Sequence, residues 1–106
     1  MVVDNTFSSP YYSNPLLAGA DIVMHSTTKY IGGRSDVIGG VVGVRDGLPE
    51  LEKRMRWLQM TVGSVPSPFD CYLLTRSIKT LSLRCLQHGL SALRIAAHLS
   101  KHPLIE

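Results

Sequence analysis

The chain has few cysteines and few aromatic residues, and it has no long apolar run. Cys71 and Cys85 lie fourteen residues apart, without a second Cys or His pair at metal-ligand spacing. Neither a disulfide framework nor a zinc site is therefore indicated, and we expect two reduced thiols that pack in the interior. No apolar run approaches the roughly 20 residues of a membrane span, and no basic and apolar leader opens the chain. We expect a cytosolic protein that does not bind membranes.

Acidic residues are scarce in the second half of the chain, where only Asp70 and Glu106 follow Glu52. The basic residues there are dispersed, and no interleaved aromatic residues provide a base-stacking platform, so we expect no nucleic-acid partner. They are expected to lie on solvated helix faces. The four histidines lack a common metal spacing and are expected at the surface or half-buried, so no metal ligand is predicted. The basic residues are Lys53, Arg54, Arg56, Arg76, Lys79, Arg84, Arg94 and Lys101, and the histidines are His25, His88, His98 and His102.

The remaining composition is that of one ordinary globular domain. The chain has 106 residues, of which 44% are hydrophobic and 18% are charged, enough for a single hydrophobic core. Its patterns predict an α/β fold in which apolar strands are covered by helices on both faces. We expect strands over 1–7, 22–25 and 37–44, a loop over 8–14, and helices over 49–62, 69–76 and from 78 to about 102.

The segment DIVMHSTTKYIGGRSD, residues 21–36, holds the residues best suited to chemistry. A strand that ends in Ser26, Thr27 and Thr28 and then Lys29 places hydroxyls and an amine at the carboxyl edge of a sheet, where open α/β sheets bind ligands. A lysine condenses with an aldehyde, and hydroxyls donate well to phosphate, which are two needs of a pyridoxal phosphate (PLP) site. The third need is a carboxylate for the ring nitrogen, and Asp4 at another strand end is a candidate. Spacing alone leaves open that these are ordinary turn, cap and surface residues.

Two stretches of the chain resemble a known enzyme family. VVDNTFSSPYYSNPLLAGADIVMHSTTKYIGG is similar to the cofactor-binding core of the PLP-dependent cysteine and methionine metabolism (trans-sulfuration) family, and VPSPFDCYLLTRSIKTL is similar to its downstream helix segment. The resemblance covers nearly the whole chain. It implies part of the large domain of the aspartate-aminotransferase-like (fold type I) PLP-dependent transferase fold. On this basis, residues 1–80 are expected to form the central part of the PLP-binding domain, and 81–106 a helix that leads into a C-terminal domain.

The resemblance also implies residue roles. Lys29 would be the Schiff-base lysine and the general acid and base, Ser26 and Thr28 would bind the cofactor phosphate, and Asp4 would pair with the pyridine nitrogen. The wording GSVPSPFDCYLL is most similar to cystathionine γ-lyases, which cleave cystathionine to cysteine, 2-oxobutyrate and ammonia. The implied partners are an amino-acid substrate and further copies of the chain, since full-length family members are tetramers. Other members of the family, the γ-synthases, β-lyases and methionine γ-lyases, remain alternatives.

Two positions depart from the family pattern, which usually has His where Arg34 stands and Gly where Ser77 stands. If that glycine needs a positive φ, Ser77 would strain the turn. In the family, the rest of the phosphate cup and the groups from a neighbouring subunit precede the stretch that corresponds to Met1, and the substrate-carboxylate arginine follows Glu106. We therefore expect a truncated and inactive piece. A noncatalytic remnant that binds an intact homologue is the alternative from another class.

Overall fold

A three-stranded sheet forms the centre of the computed structural model, which describes residues 1–105. The strands lie in the order β1 (Val2–Asp4), β2 (Ile22–Ser26) and β3 (Gly40–Val44). A helical turn, α1 (Ser9–Tyr12), follows β1, and a π-helical turn over Thr27–Ile31, here called the lysine turn, follows β2. Three longer helices complete the chain: α2 (Pro49–Val62), α3 (Pro68–Ile78) and α4 (Leu81–Leu99).

The strand directions bring two strand ends to one edge of the sheet. β1 and β2 run parallel, with Val2 beside Ile22 and Asp4 beside Met24. β3 runs antiparallel to β2, so that Gly40 lies beside Ser26 at the same edge. The carboxyl ends of β1 and β2 therefore meet where β3 begins, and this edge carries the residues singled out from the sequence.

The helix boundaries follow from local capping chemistry. Pro49 occupies the first turn of α2, where its missing N–H costs no hydrogen bond, and Gly63 ends that helix in the left-handed conformation at φ 74°. At α3 the hydroxyl of Ser67 accepts a hydrogen bond from the amide of Asp70 at 3.1 Å and donates to the Asp70 carboxylate at 2.8 Å. This cap fixes the start of α3 at Ser67, between Pro66 and Pro68, and Pro68 is the first residue of the helix.

Several predicted elements need correction. The predicted loop over 8–14 contains α1, because Pro10 presets the helical φ and the side chain of Asn5 binds the carbonyls of Ser9 and Ser13 at 3.2 and 2.9 Å. The strand predicted over 37–44 begins at Gly40. The helix predicted from residue 78 onward begins only at Leu81, as α4, because Ile78 is still the last residue of α3.

Burial of the strands on both faces is also a wrong expectation for the described residues. Only β2 has buried positions, at Val23 and His25, while Val41 and Val42 of β3 are nearly half exposed. A cleft of about 860 Å³ separates β3 from α2, because α2 does not pack down onto the strand. The apolar stripe of α4 behaves likewise: Leu83, Leu86, Leu90 and Leu93 are exposed.

The hydrophobic core is correspondingly small. Six apolar residues are buried within residues 1–105: Ala20, Val23, Ile31, Val37, Leu81 and Cys85. The radius of gyration is 16.9 Å, against about 13 Å for a compact domain of this length. The described residues therefore form an open unit with extensive apolar surface. Among them no helix has the length and apolar character needed to cross a bilayer.

The lysine turn depends on close packing at Gly32, which yields a testable prediction. A Cβ added to Gly32 would lie 2.7 Å from the carbonyl oxygen of Thr27, while the φ of −71° is one that any residue adopts. Gly32→Ala should therefore lower the free energy of unfolding by about 1–3 kcal/mol through overpacking alone. Urea unfolding followed by circular dichroism measures this. The matched control is Gly40→Ala, where the nearest atom would be at 3.6 Å, and equal midpoints for the two variants would refute the packing argument.

Candidate functional site

The four residues predicted to bind the cofactor lie at the carboxyl edge of the sheet. Asp4 is the last residue of β1, and Ser26 is the last residue of β2. Thr28 and Lys29 follow directly in the lysine turn. Asp4 and Lys29 are exposed, whereas Ser26 and Thr28 are half-buried. The topology thus brings one carboxylate, one amine and two hydroxyls to the same end of two neighbouring strands.

Asp4 is held in its ionised form by Thr6. The Thr6 hydroxyl, followed by the Thr6 amide, which donates to Oδ1 at 2.9 Å, lowers the pKa of Asp4 below the ordinary value for a carboxyl group. His25 adds a smaller electrostatic contribution in the same direction. Asp4 is therefore an anion at neutral pH, as a partner for a protonated ring nitrogen must be.

Thr6 also connects the two strand ends, a role that the sequence interpretation missed. Its hydroxyl oxygen accepts a hydrogen bond from the amide of Ser26 at 2.8 Å, so one buried side chain contacts residues of both strands. The backbone amide of the neighbouring Asn5 donates to the carbonyl of Met24 at 2.9 Å, which also holds the end of β1 beside β2. The signal in the sequence was the Asp-x-Thr spacing at a strand end, which permits a side chain to bind the backbone two residues on.

The hydroxyls of Thr27 and Thr28, just before the lysine, both lie beside Gly39. Thr28 Oγ1 accepts a hydrogen bond from the amide of Gly39 at 3.0 Å. Thr27 is 3% exposed, and its hydroxyl has no hydrogen-bond partner among residues 1–105. A Cβ added to Gly39 would lie 2.9 Å from the Thr27 hydroxyl. Gly39, which has no side chain, therefore packs directly against the hydroxyls of Thr27 and Thr28.

Lys29 interrupts the helical turn that carries it. Its backbone angles are φ −90° and ψ −115°, outside the helical region. Hydrogen bonds close the turn around it: the Gly33 amide donates to the Lys29 carbonyl at 2.8 Å, and the Gly32 amide donates to the Thr27 carbonyl at 2.8 Å. The kink leaves the Lys29 side chain exposed, so its amine is open to a ligand from outside the described residues.

Arg84 was expected on a solvated helix face, and the structure corrects this. Its side chain is half-buried and reaches back from α4 to the lysine turn. The guanidinium donates to the carbonyls of Tyr30 at 2.6 Å and Ile31 at 3.2 Å. A helical pattern in the sequence contained no signal for this contact, because it joins residues more than fifty positions apart. Other basic residues are solvated as expected, for example Lys53 and Arg56, which pair with Glu50 and Glu52 on exposed α2.

The two positions that depart from the family pattern contact each other. Arg34 Nη1 donates to the hydroxyl of Ser77. Ser77 is 2% exposed and lies inside α3. The strain considered for Ser77 is absent, because the non-glycine residues with positive φ among the described residues are Ser9 and Ser35. Their hydrogen bond joins the chain just after the lysine turn to α3.

Two further side-chain expectations are wrong. Both cysteines are free, as expected, but Cys71 is exposed and only Cys85 is packed in the interior. His25 is 7% exposed rather than at the surface, because β2 is the central strand. Burial lowers the pKa of His25, which favours the neutral ring. Within residues 1–105 no cluster of three His, Cys, Asp or Glu side chains is placed to hold a metal ion.

These residues fit pyridoxal phosphate. An ionised Asp4 at one strand end suits a protonated ring nitrogen, and an exposed Lys29 at the next suits a covalent bond to an aldehyde. The buried Thr27 hydroxyl has no hydrogen-bond partner among the described residues. Buried hydroxyls are normally paired, so a polar group from outside these residues would satisfy it. Ser26 and Thr28 lie beside this cluster as candidate phosphate ligands.

The control of Asp4 by Thr6 can be tested by Thr6→Val, which keeps the shape and removes the hydroxyl. The pKa of Asp4 should rise toward the ordinary carboxyl value, which a carbon-13 NMR titration of the side chain measures. A folded-state pKa below the unfolded one contributes stability above the unfolded value, about pH 4. That stability is lost as the pH falls through the folded pKa, so the variant should lose less of its stability between pH 5 and 2.

Thr75→Val is the matched control, because the Thr75 hydroxyl donates to the Cys71 carbonyl on exposed α3 at 2.7 Å and does not contribute to the pKa of Asp4. Its Asp4 titration should equal that of the unchanged chain. An Asp4 pKa that is the same in Thr6→Val and Thr75→Val would contradict the assignment.

Comparisons with known proteins identify the family of the chain. The family model for the Cys/Met metabolism PLP-dependent enzymes matches residues 1–106. A cystathionine gamma-lyase of Dictyostelium discoideum is 52% identical over 106 residues, covering 100% of this chain and 27% of that protein. A probable cystathionine gamma-synthase of Herpetosiphon aurantiacus is 50% identical over 105 residues, covering 99% of this chain and 32% of that protein.

The fold comparison leads to the same family. The crystal structure of metB from Corynebacterium glutamicum superimposes with a TM-score of 0.94 and 48% identity, over 99% of this chain and 27% of that one. The chain thus spans about a quarter to a third of the length of these relatives. The expected α/β fold of the type I PLP-dependent enzymes is confirmed, and the chain belongs to the family of PLP-dependent enzymes of cysteine and methionine metabolism.

Proposed function

We propose that this chain is the cofactor-anchoring part of a PLP-dependent trans-sulfuration enzyme, most similar in activity to cystathionine γ-lyase. The observation that carries the proposal is the position of Lys29: an exposed lysine on a kinked turn, next to two hydroxyls and at the same sheet edge as the ionised Asp4. When bound, PLP supplies an electron-accepting ring that stabilises negative charge on the substrate carbon. The residues of this chain supply anchoring, orientation and proton transfer.

Each side chain has a role that follows from its chemistry. The Lys29 amine would hold the cofactor through its aldehyde, and the free amine would move protons at the substrate carbons. The Asp4 carboxylate holds the proton on the ring nitrogen. The Ser26 and Thr28 hydroxyls would donate to the phosphate. The Thr28 hydroxyl accepts from the Gly39 amide at 3.0 Å and donates to the Gly39 carbonyl only at the long distance of 3.5 Å, a contact that a phosphate oxygen would replace.

The lyase assignment within the family rests on the sequence of residues 63–74, GSVPSPFDCYLL. Relatives named as lyases and as synthases are about equally identical to this chain, so overall similarity does not choose between them. We propose cystathionine as the substrate, with cysteine, 2-oxobutyrate and ammonia as products. A γ-synthase, which forms cystathionine, is the alternative that the same site would serve.

The proposal extends to the setting of the chain. We propose a cytoplasmic homo-oligomer, a tetramer for the full family fold, in which residues 1–80 belong to the PLP-binding domain and α4 leads toward a C-terminal domain. The exposed apolar residues of α4 and β3 support burial against further protein. The first turns of α4 pack on the earlier part of the chain, since Tyr12 donates to the Cys85 carbonyl at 2.8 Å.

The cofactor role is tested by incubating the chain with PLP, reducing it with borohydride and mapping the modified peptide by mass spectrometry. We expect one phosphopyridoxyl group, on Lys29. Lys29→Arg keeps the positive charge and cannot form the link, so the adduct should fall at least about tenfold. Asp4→Asn should leave the adduct on Lys29 but weaken retention of the cofactor, because the ring nitrogen loses its anionic partner.

Lys53→Arg is the matched control, because Lys53 is an exposed lysine of α2 with an ordinary ion pair. Its labelling should equal that of the unchanged chain. Labelling spread evenly over exposed lysines, with no preference for Lys29, would overturn the cofactor role and favour the noncatalytic alternative.

The reaction is tested in a chimera in which residues 1–106 replace the matching segment of the Dictyostelium discoideum lyase. A γ-lyase should release 2-oxobutyrate from cystathionine, and Lys29→Arg in the chimera should lower kcat by at least about a thousandfold, as expected when a nucleophilic residue is lost. Formation of cystathionine from cysteine and an activated homoserine ester, without 2-oxobutyrate release from cystathionine, would replace the lyase by the synthase.

A further inference from the structure

Arg84 joins three separate parts of the chain through one side chain. It lies in the first turn of α4, and its guanidinium makes four hydrogen bonds. Two go to the lysine turn, to the carbonyls of Tyr30 and Ile31. The others go to the carbonyl of Ser77 at 3.1 Å and the hydroxyl of Thr80 at 3.1 Å. The side chain thus links the residues just after Lys29 to the end of α3 and the start of α4.

The lysine turn is built to receive this side chain. Tyr30 and Ile31 lie at the end of the turn, where helical carbonyls lack partners in the next turn. Gly33 has φ 72°, and a Cβ added there would lie 2.3 Å from Nη1 of Arg84. A glycine at this position therefore serves both the backbone conformation and the approach of the guanidinium. Lys29, with its non-helical ψ, lies between β2 and the carbonyls that Arg84 contacts, so the chain is held on both sides of the kink.

We propose that Arg84 is a positioning residue for Lys29. It does not touch the cofactor site; it holds the carbonyls that follow Lys29 and thereby keeps the kink that presents the amine. The proposal rests on the function proposed above for Lys29. It requires arginine specifically, because four acceptors in different directions match the planar fork of a guanidinium, whereas a lysine ammonium has three donors at one point.

The uncharged acceptors around Arg84 support its role as a positioning residue. The described residues give Arg84 no carboxylate partner, so its charge is balanced by carbonyl oxygens. Three of its four acceptors are backbone carbonyl oxygens, at the end of α3 and at the end of the lysine turn, where helix dipoles are negative. A charge stabilised by backbone dipoles constrains the backbone itself, which an ordinary surface ion pair would not do.

The first test needs no cofactor: amide hydrogen exchange of Gly32 and Gly33, measured by NMR in Arg84→Lys. These amides donate to carbonyls within the lysine turn, so loosening of the turn should accelerate their exchange about tenfold or more. Exchange of the β2 amides should remain unchanged. The matched control is Arg94→Lys, on an exposed position of the same helix, where no amide should change.

Unchanged exchange at Gly32 and Gly33 in Arg84→Lys would overturn the proposal. The same acceleration at every amide would also overturn it, because it would indicate general destabilisation and not loosening of the lysine turn. If Arg84→Lys does not fold, Thr80→Val decides. It removes the acceptor of Arg84 Nε and the hydrogen bond from the Thr80 hydroxyl to the Ser77 carbonyl, and it leaves the guanidinium in place. It should accelerate the same two amides by a smaller factor, about threefold. No acceleration in Thr80→Val would then count against Arg84.

The second test measures the rate at which PLP and borohydride label Lys29. Arg84→Lys should lower the rate about tenfold with the label still on Lys29, whereas Arg94→Lys should not change it. A labelling rate in Arg84→Lys equal to that of the unchanged chain would refute the positioning role. If the unchanged chain takes no label, the proposed cofactor function fails, but the exchange experiment still decides whether Arg84 fixes the turn.

Discussion

The convergence of two arginines on Ser77 is the contact on which the arrangement of the helices depends. Arg84 donates to the Ser77 carbonyl, and Arg34 donates to the Ser77 hydroxyl. Ser77 is almost fully buried, although apolar packing around it is limited. A hydrogen-bonded junction therefore does much of what a hydrophobic core does in a compact domain. Charge-assisted hydrogen bonds are stronger than neutral ones, which suits a unit with so few buried apolar residues.

Small polar side chains just after β1 organise the part of the site that contains Asp4. Thr6 contacts the strand end of Asp4 and the amide of Ser26, and Asn5 holds the start of the following turn. These residues are buried and polar, and each is satisfied by backbone partners. Their hydrogen bonds fix directions more strictly than apolar packing would, because a hydrogen bond requires both a distance and an angle. The Asp4 carboxylate and the end of β2 are consequently placed by one polar network centred on Thr6, while Arg84 of α4 holds the end of the lysine turn.

Much of the site could be predicted from the sequence, because its signals are local. Asp4 ends an apolar strand, and Ser26, Thr28 and Lys29 end the next one, so their common edge follows from strand direction. Arg84 could not be assigned in this way. Its position in a helical pattern is that of an ordinary surface residue, and its partners lie more than fifty residues away. The exposed apolar stripe of α4 was misjudged for a related reason: a pattern shows which face is apolar but not which part of the protein covers it.

The two departures from the family pattern are best understood as one change. A glycine at the position of Ser77 would offer no hydroxyl, and the Arg34 guanidinium would lose the acceptor that it has here. A serine there beside a shorter side chain at position 34 would bury a hydroxyl without this donor, which is costly in an interior position. Because Ser77 is helical, the serine itself costs no backbone strain. The Arg34 guanidinium thus has a hydrogen-bond acceptor in the buried Ser77 hydroxyl, and the Ser77 hydroxyl has a donor, so each of the two residues satisfies the other.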